Sequence, residues 1–257
     1  MPFSYASRPP PGTPWENAAF DRVEVPIRDA RGAGSGLRTE GFELWDAPSQ
    51  VTEFLDAEAV RAAYYPEAAE LALAATGASR AFVFDHLLRR RDPARETSTF
   101  GRHGADGVAA VNGRIHNDYT EASGQRRLAL VLRDADLAAG VQRYGIVNIW
   151  RSIRHPVLDT PLGVCDARSV GARDLIVGEV RYPHRNGEIY FLAPSPRHRW
   201  WYFSAMSRDE ALVFTQYDSQ VSGTARFTPH CAFDHPAAPL GHPPRESMEV
   251  RCLVVYE

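Results

Sequence analysis

Ile146-Val-Asn-Ile-Trp-Arg-Ser-Ile153 is an apolar run broken by single polar residues, and it opens a series. Leu162–Cys165, Asp174–Arg181, Glu188–Leu192, Arg199–Phe203, Ala211–Tyr217, Thr224–Pro229 and Glu249–Tyr256 follow, separated by turn-forming residues. Many short apolar or alternating segments at this spacing mark a β-sandwich or barrel. The expected fold is mainly β: a double-stranded β-helix, the cupin-like jelly roll, which closes on itself.

Upstream of that run the pattern is mixed. Val51 to about Gly77 is rich in alanine with apolar faces, and reads as a helix that Pro66 splits in two. Ala122–Ala139 reads as a second helical insert. Arg22–Ile27, Arg80–Leu88 and Val108–Thr120 read as strands, so the jelly roll carries flanking N-terminal and inserted α-helices. Ala30–Gly36 is glycine-rich but has neither GxGxxG spacing nor a lysine. Residues 1–20, rich in proline and small side chains, are expected to form a flexible arm. The polar stretch after the Arg89–Arg91 run, to about Ala105, reads equally as a loop covering an active site or as a disordered segment. With no repeat and no boundary, residues 1–257 read as a single domain.

Composition removes several classes. The chain has 257 residues, a net charge of −3 and 44% hydrophobic residues, which describes a globular protein with a core and gives no sign of a nucleic-acid or membrane surface. It contains no lysine, which rules out Schiff-base and P-loop chemistry. Cys165, Cys231 and Cys252 are few and widely spaced, unlike a disulfide scaffold or a CxxC zinc site. The start of the chain lacks the charged and apolar regions of a secretory signal, and no apolar run approaches the ~20 residues of a membrane span, so a cytoplasmic location is expected.

Chemistry concentrates in Gly113-Arg-Ile-His-Asn-Asp-Tyr-Thr120. On a strand, His116 and Asp118 point to one face and can converge on one ion. Two histidines and a carboxylate on one side of a metal form the facial triad of non-haem Fe(II) oxygenases. In a jelly roll the last ligand comes from near the C-terminus, where His198, His230, His235 and His242 are available. His230 ends the run Thr224-Ala-Arg-Phe-Thr-Pro-His230, which places it at a strand end facing the barrel mouth. His198 is the weaker choice, since no Arg-x-Ser follows it at suitable spacing and about 60 residues after it would be unexplained. Arg245 and Ser247, on one face of the last strand, can grip a carboxylate with a guanidinium fork and a hydroxyl, which suits the remote carboxylate of 2-oxoglutarate. Arg151 interrupts an apolar strand and needs an anion, either a co-substrate or substrate carboxylate or an Asp such as Asp166.

From about Phe82 to the end, roughly two-thirds of the chain, the sequence resembles the family that includes the fungal gibberellin desaturase, AsaB and CmcJ. The matching stretches include Phe84-Asp-His86, Ile115-His-Asn-Asp118, Asn148-Ile-Trp-Arg-Ser-Ile153, Pro161-Leu-Gly-Val-Cys-Asp-Ala-Arg-Ser-Val170, Pro196-Arg-His-Arg-Trp-Trp-Tyr-Phe203, Pro229-His-Cys-Ala-Phe233 and Pro244-Arg-Glu-Ser-Met-Glu-Val-Arg251. Ser152-Ile153 stands where Pro-Leu is expected and Trp201 where Tyr is expected, changes that bear on pocket shape. The resemblance implies Fe(II)- and 2-oxoglutarate-dependent oxidation, commonly in natural-product pathways.

The combined expectation is a dioxygenase using Fe(II), 2-oxoglutarate and O2 to hydroxylate or desaturate an unactivated C–H of a small molecule. Fe(II) would be held by His116, Asp118 and His230. Arg245 and Ser247 would anchor 2-oxoglutarate, with Arg151 as a further candidate and Arg251 an alternative main anchor. Trp150, Tyr202, His198 and Arg251 are candidates for lining the substrate pocket. The rivals are a cupin-type metal dioxygenase or isomerase without 2-oxoglutarate, and a jelly-roll binding protein without iron. Neither the substrate nor the oligomeric state is legible in the sequence.

Overall fold

The computed structural model describes residues 1–7, 20–94, 97, 107–182 and 185–257. In chain order its strands are β1 (Pro2–Ala6), β2 (Phe20–Glu24), β3 (Ile27–Asp29), β4 (Phe42–Asp46), β5 (Arg80–Arg90), β6 (Ala109–Ala110), β7 (His116–Asn117), β8 (Arg143–Ser152), β9 (Leu162–Cys165), β10 (Leu175–Tyr182), β11 (Arg185–Leu192), β12 (Trp200–Tyr202), β13 (Glu210–Asp218), β14 (His230–Ala232) and β15 (Glu246–Tyr256). A major sheet runs β4-β13-β8-β15-β5-β6 and a minor sheet β10-β11-β7-β14-β9-β12-β3. The core strands alternate between sheets: β5, β8, β13 and β15 lie in one, β7, β9, β12 and β14 in the other. That is the double-stranded β-helix the pattern predicts.

The helices account for the major sheet's outer face. Asp56 caps α1 (Ala57–Ala59) by accepting from the Glu58 and Ala59 N–H groups. A π-helical turn, Val60–Tyr64, joins it to α2 (Tyr65–Thr76), and Gly77 closes α2 in the left-handed region, φ 68°. Pro66 therefore does not split the run. It follows the π-helical turn by one residue, and the residues before it stay helical, with Tyr64 at φ −71°, ψ −31°. Phe54, Val60 and Tyr64 pack on Val147, Ile149, Val250 and Cys252. On the inner face of the same strands Trp150, Leu212 and Phe214 meet Val164 and Leu162 of the minor sheet. A third cluster covers the minor sheet's other face with Phe3, Tyr5, Trp200 and Phe233.

Several expectations are corrected. The expected arm begins instead with β1, antiparallel to β2, where Phe3 and Tyr5 are each 1% exposed. The rest of that arm, residues 8–19, lies outside the described residues, as do 95, 96 and 98–106 of the polar stretch after Arg91. Pro26 falls between β2 and β3, where its missing ladder donor does least harm. Only the two-residue β6 and β7 form within Val108–Thr120. Ala122–Ala139 divides at Arg133, φ 55°, into α3 (Glu121–Leu132) and α4 (Ala135–Gly140). Thr224–Pro229 is irregular, so His230 starts a strand rather than ending one.

Candidate metal centre and co-substrate pocket

β7 and β14 are neighbours, and their register places His116 directly opposite His230. The two rings lie 4.4 Å apart between centroids. Asp118, just past β7, brings Oδ1 to 3.5 Å from His116 Nε2. Together the three residues offer ligand atoms that all lie within 4.8 Å of one another.

Hydrogen bonding sets the chemistry of each group. His116 Nδ1 sits 2.8 Å from the Arg114 carbonyl, and His230 Nδ1 3.2 Å from that of Thr228. A carbonyl can only accept, so each Nδ1 carries a proton and Nε2 is the ring atom left to face a metal. Burial first, then the His116 charge, holds the His230 imidazolium pKa down at about 3, so His230 is neutral at working pH. Burial works against a charged Asp118, but the Arg251 guanidinium and both imidazoles outweigh it and hold its carboxyl well below the usual range. Asp118 Oδ2 accepts from Asn148 Nδ2 at 2.9 Å and Arg251 Nε at 3.0 Å, which leaves Oδ1 facing the histidines.

Two amides fix this constellation. β13 carries a bulge between Thr215 and Tyr217, which frees Gln216 from the ladder with β8. The Gln216 side chain accepts from the Asp118 N–H at 2.7 Å and donates to the Thr228 carbonyl at 3.1 Å. Asn117 donates to the carbonyls of Tyr119 and Gln216, and accepts from the Thr228 N–H. The segments bearing all three candidate ligands are thus tied to one another and to β13.

The two C-terminal arginines differ in their partners. Arg251 meets Asp118, Asp85 and Glu249, each at 3.0 Å. Arg245 is 3% exposed and makes no ion pair among the described residues. Its Nε donates to Ser247 Oγ at 3.0 Å, its Nη1 to the Thr160 carbonyl at 2.8 Å, and its guanidinium lies 4.8 Å from the Trp150 ring centroid. Burial, aided by the nearby Arg89 charge, pulls its pKa down to about 9. A buried cation without a counter-anion is costly, and a bound carboxylate relieves it. These donors fit the remote end of 2-oxoglutarate, and Arg251, already engaged by three carboxylates, does not.

Other expected site residues lie elsewhere. Arg151 points to the outer face of β8. There it donates to Tyr64 Oη, Ala47 O and Arg208 O, so neither a cosubstrate nor Asp166 is its partner. Residues 148 and 150 face inward, and strand alternation sends 151 outward. Tyr202 faces the minor sheet's outer side against Phe233 and His235, whereas Trp201 packs with the cluster between the sheets. His198 is buried between Tyr5 and Asp174. Trp150 is 1% exposed and stacks under Arg245 rather than facing a substrate. Asn148, Gln216, Asp85 and Glu249 were not singled out from sequence. The legible signal was Glu249, two residues before Arg251 and so on its face of the strand.

A jelly roll with this donor set, and a buried arginine that makes no ion pair among the described residues, has the features of a non-haem oxygenase site. A family model described as "Oxidoreductase/YMDC permease-like domain" matches residues 1–255. The hydroxylase/desaturase efuI of Hormonema carpetanum is 35% identical, over 90% of this chain and 82% of its own length. The Fe(II)/2-oxoglutarate-dependent dioxygenase nvfI of Aspergillus novofumigatus is 32% identical, over 97% and 89%. A solved structure, the iron and alpha-ketoglutarate-dependent endoperoxidase NvfI, superposes with a TM-score of 0.85 at 26% identity, covering 99% of this chain and 96% of that one. The chain belongs to this family of Fe(II)/2-oxoglutarate-dependent oxygenases. No helix among the described residues is long and apolar enough to cross a membrane.

Proposed function

We propose that the protein hydroxylates or desaturates an unactivated C–H of a small-molecule substrate, with His116, Asp118 and His230 holding Fe(II) and with Arg245 and Ser247 anchoring 2-oxoglutarate. The observation that carries the reading is the pairing of two Nε2-presenting imidazoles and one charged carboxylate with a buried guanidinium that makes no ion pair among the described residues. When bound, the iron and the 2-oxo acid supply the oxidising power from O2. The chain supplies position. Asn148 and Arg251 hold one oxygen of Asp118 so that the other is presented to the metal. Gln216 and Asn117 keep the ligands in register, and Trp150 screens the Arg245 charge from water.

Anaerobic titration of the metal-free protein with Fe(II) and then 2-oxoglutarate tests this reading. The visible charge-transfer band of the chelate is expected in the wild type and lost in Arg245→Ala. Iron binding without the band would favour a 2-oxoglutarate-independent oxygenase, and failure to bind iron would overturn the metal assignment.

A further inference from the structure

Beside Asp118 is a cavity of about 330 Å³. That is at the lower end of the size range for small-molecule sites. Its walls come from β5, α3, the β10–β11 hairpin and β15. Arg251, Asp85 and Asp118 on its floor are already joined to one another. Leu130, 64% exposed, and Ile189 and Val180 make one wall apolar.

Arg127 is different. It projects from α3 over the rings of Phe84, 4.7 Å to the centroid, and Tyr119, 5.8 Å. It makes no ion pair or hydrogen bond among the described residues, and its Nε is buried without an acceptor. The rings hold the guanidinium plane in place, and such preorganisation lowers the entropy lost on binding an anion. Tyr119, one of those rings, directly follows Asp118. Arg127 and Asp118 line the same cavity, so a group bound by Arg127 lies within one small molecule's reach of the candidate metal ligand. The neighbouring Arg126 is exposed and lines the same cavity, as does Glu188, whose carboxylate accepts from Thr120 Oγ1.

We propose that the substrate is a small carboxylic acid with an apolar body, and that Arg127 binds its carboxylate in this cavity and so sets which C–H faces the metal. The proposal deepens the function given above and rests on it. It makes Arg127 a specificity residue, separate from Arg245, which serves the co-substrate. One arginine site anchors 2-oxoglutarate and a second reads the substrate's carboxylate, so the two acids do not compete.

The test uses 3-phenylpropionate and its primary amide, two probes of nearly the same shape that differ in charge. Each is titrated calorimetrically under anaerobic conditions into protein loaded with Fe(II) and saturating 2-oxoglutarate, so that Arg245 is occupied. The acid is expected to bind wild type roughly tenfold or more tightly than the amide, the size of a charge-assisted hydrogen bond. Arg127→Gln is expected to erase that preference and Arg127→Lys to keep part of it, with both variants melting as the wild type does. Equal binding of acid and amide, no binding of either, or an acid preference that survives in Arg127→Gln overturns the proposal. The same pair titrated into metal-free wild type and Arg127→Gln reads the preference whether or not the chelate band forms. A failure of the iron and 2-oxoglutarate reading is thereby told apart from a failure of this one.

Discussion

His116 and His230 are chemically equivalent only because each Nδ1 meets a carbonyl. Replacing either by alanine removes one metal donor, and Fe(II) affinity measured by competition with a chromogenic chelator is expected to fall by more than an order of magnitude. The metal-free protein should also show the cost of keeping His230 neutral. Its folded pKa of about 3 lies below the ordinary 6.5, so between these values the unfolded chain binds the extra proton. Stability from this group is complete above about pH 6.5 and is lost as pH falls toward about 3. Urea midpoints of metal-free protein should therefore drop between about pH 7 and pH 5, and drop less in His230→Gln. A slope unchanged by that substitution would place the titration elsewhere. Arg245 carries the opposite lesson: its burial without an anion makes Arg245→Ala a defect of 2-oxoglutarate binding, with Fe(II) affinity kept.

At the scale of elements, the bulge in β13 matters more to the site than any ladder residue. It frees Gln216, whose side chain, like that of Asn117, is bonded both to the Asp118 segment and to the Thr228 segment. Gln216→Ala leaves the Asp118 N–H without its partner, at about 1–3 kcal/mol, while the Thr228 carbonyl keeps His230 Nδ1. It should lower both the melting temperature and Fe(II) affinity, and a loss of stability alone would remove its role in ligand placement. Helix α3 is seated by Gly124, where an added Cβ would lie 2.7 Å from the Tyr217 ring. Gly124→Ala gains helix propensity of about 1 kcal/mol but overpacks against that ring, so a net loss of stability of about 1–2 kcal/mol in denaturant titration is expected. Because α3 also carries Arg127, the same shift should reach the cavity beside Asp118.

Over the whole molecule, the two sheets bring the C-terminal β14 beside β7, and that closure makes the donor set. Ligands that bind only the closed arrangement should stabilise the whole fold. Fe(II) with 2-oxoglutarate at about 100 times its Kd should add about 2.7 kcal/mol, and a chelator should remove it. In Arg245→Ala the increment from 2-oxoglutarate, read as a melting shift, should vanish. Much of this architecture was readable beforehand, because strand spacing and the His116–Asp118 pair are local patterns. The faces of the central strands were not readable. Trp150 and Arg151 are both buried, one toward the minor sheet and one under the helices, so no polar alternation marks which side is the site. Tyr202 and Trp201 pose the same ambiguity in β12.

The sequence by itself determined the jelly roll, the His116–Asp118 pair and an Arg-x-Ser element after the distal histidine, because each depends on short-range alternation and order along the chain. Only the tertiary structure decided that Arg251 is engaged by three carboxylates while Arg245 is left with none, that Arg151 and Tyr202 face away, and that His198 is structural. The physical reason is that charge partners and buried faces are set by strands distant in sequence. Arg251 and Asp118 lie 133 residues apart and meet only when the sheets close.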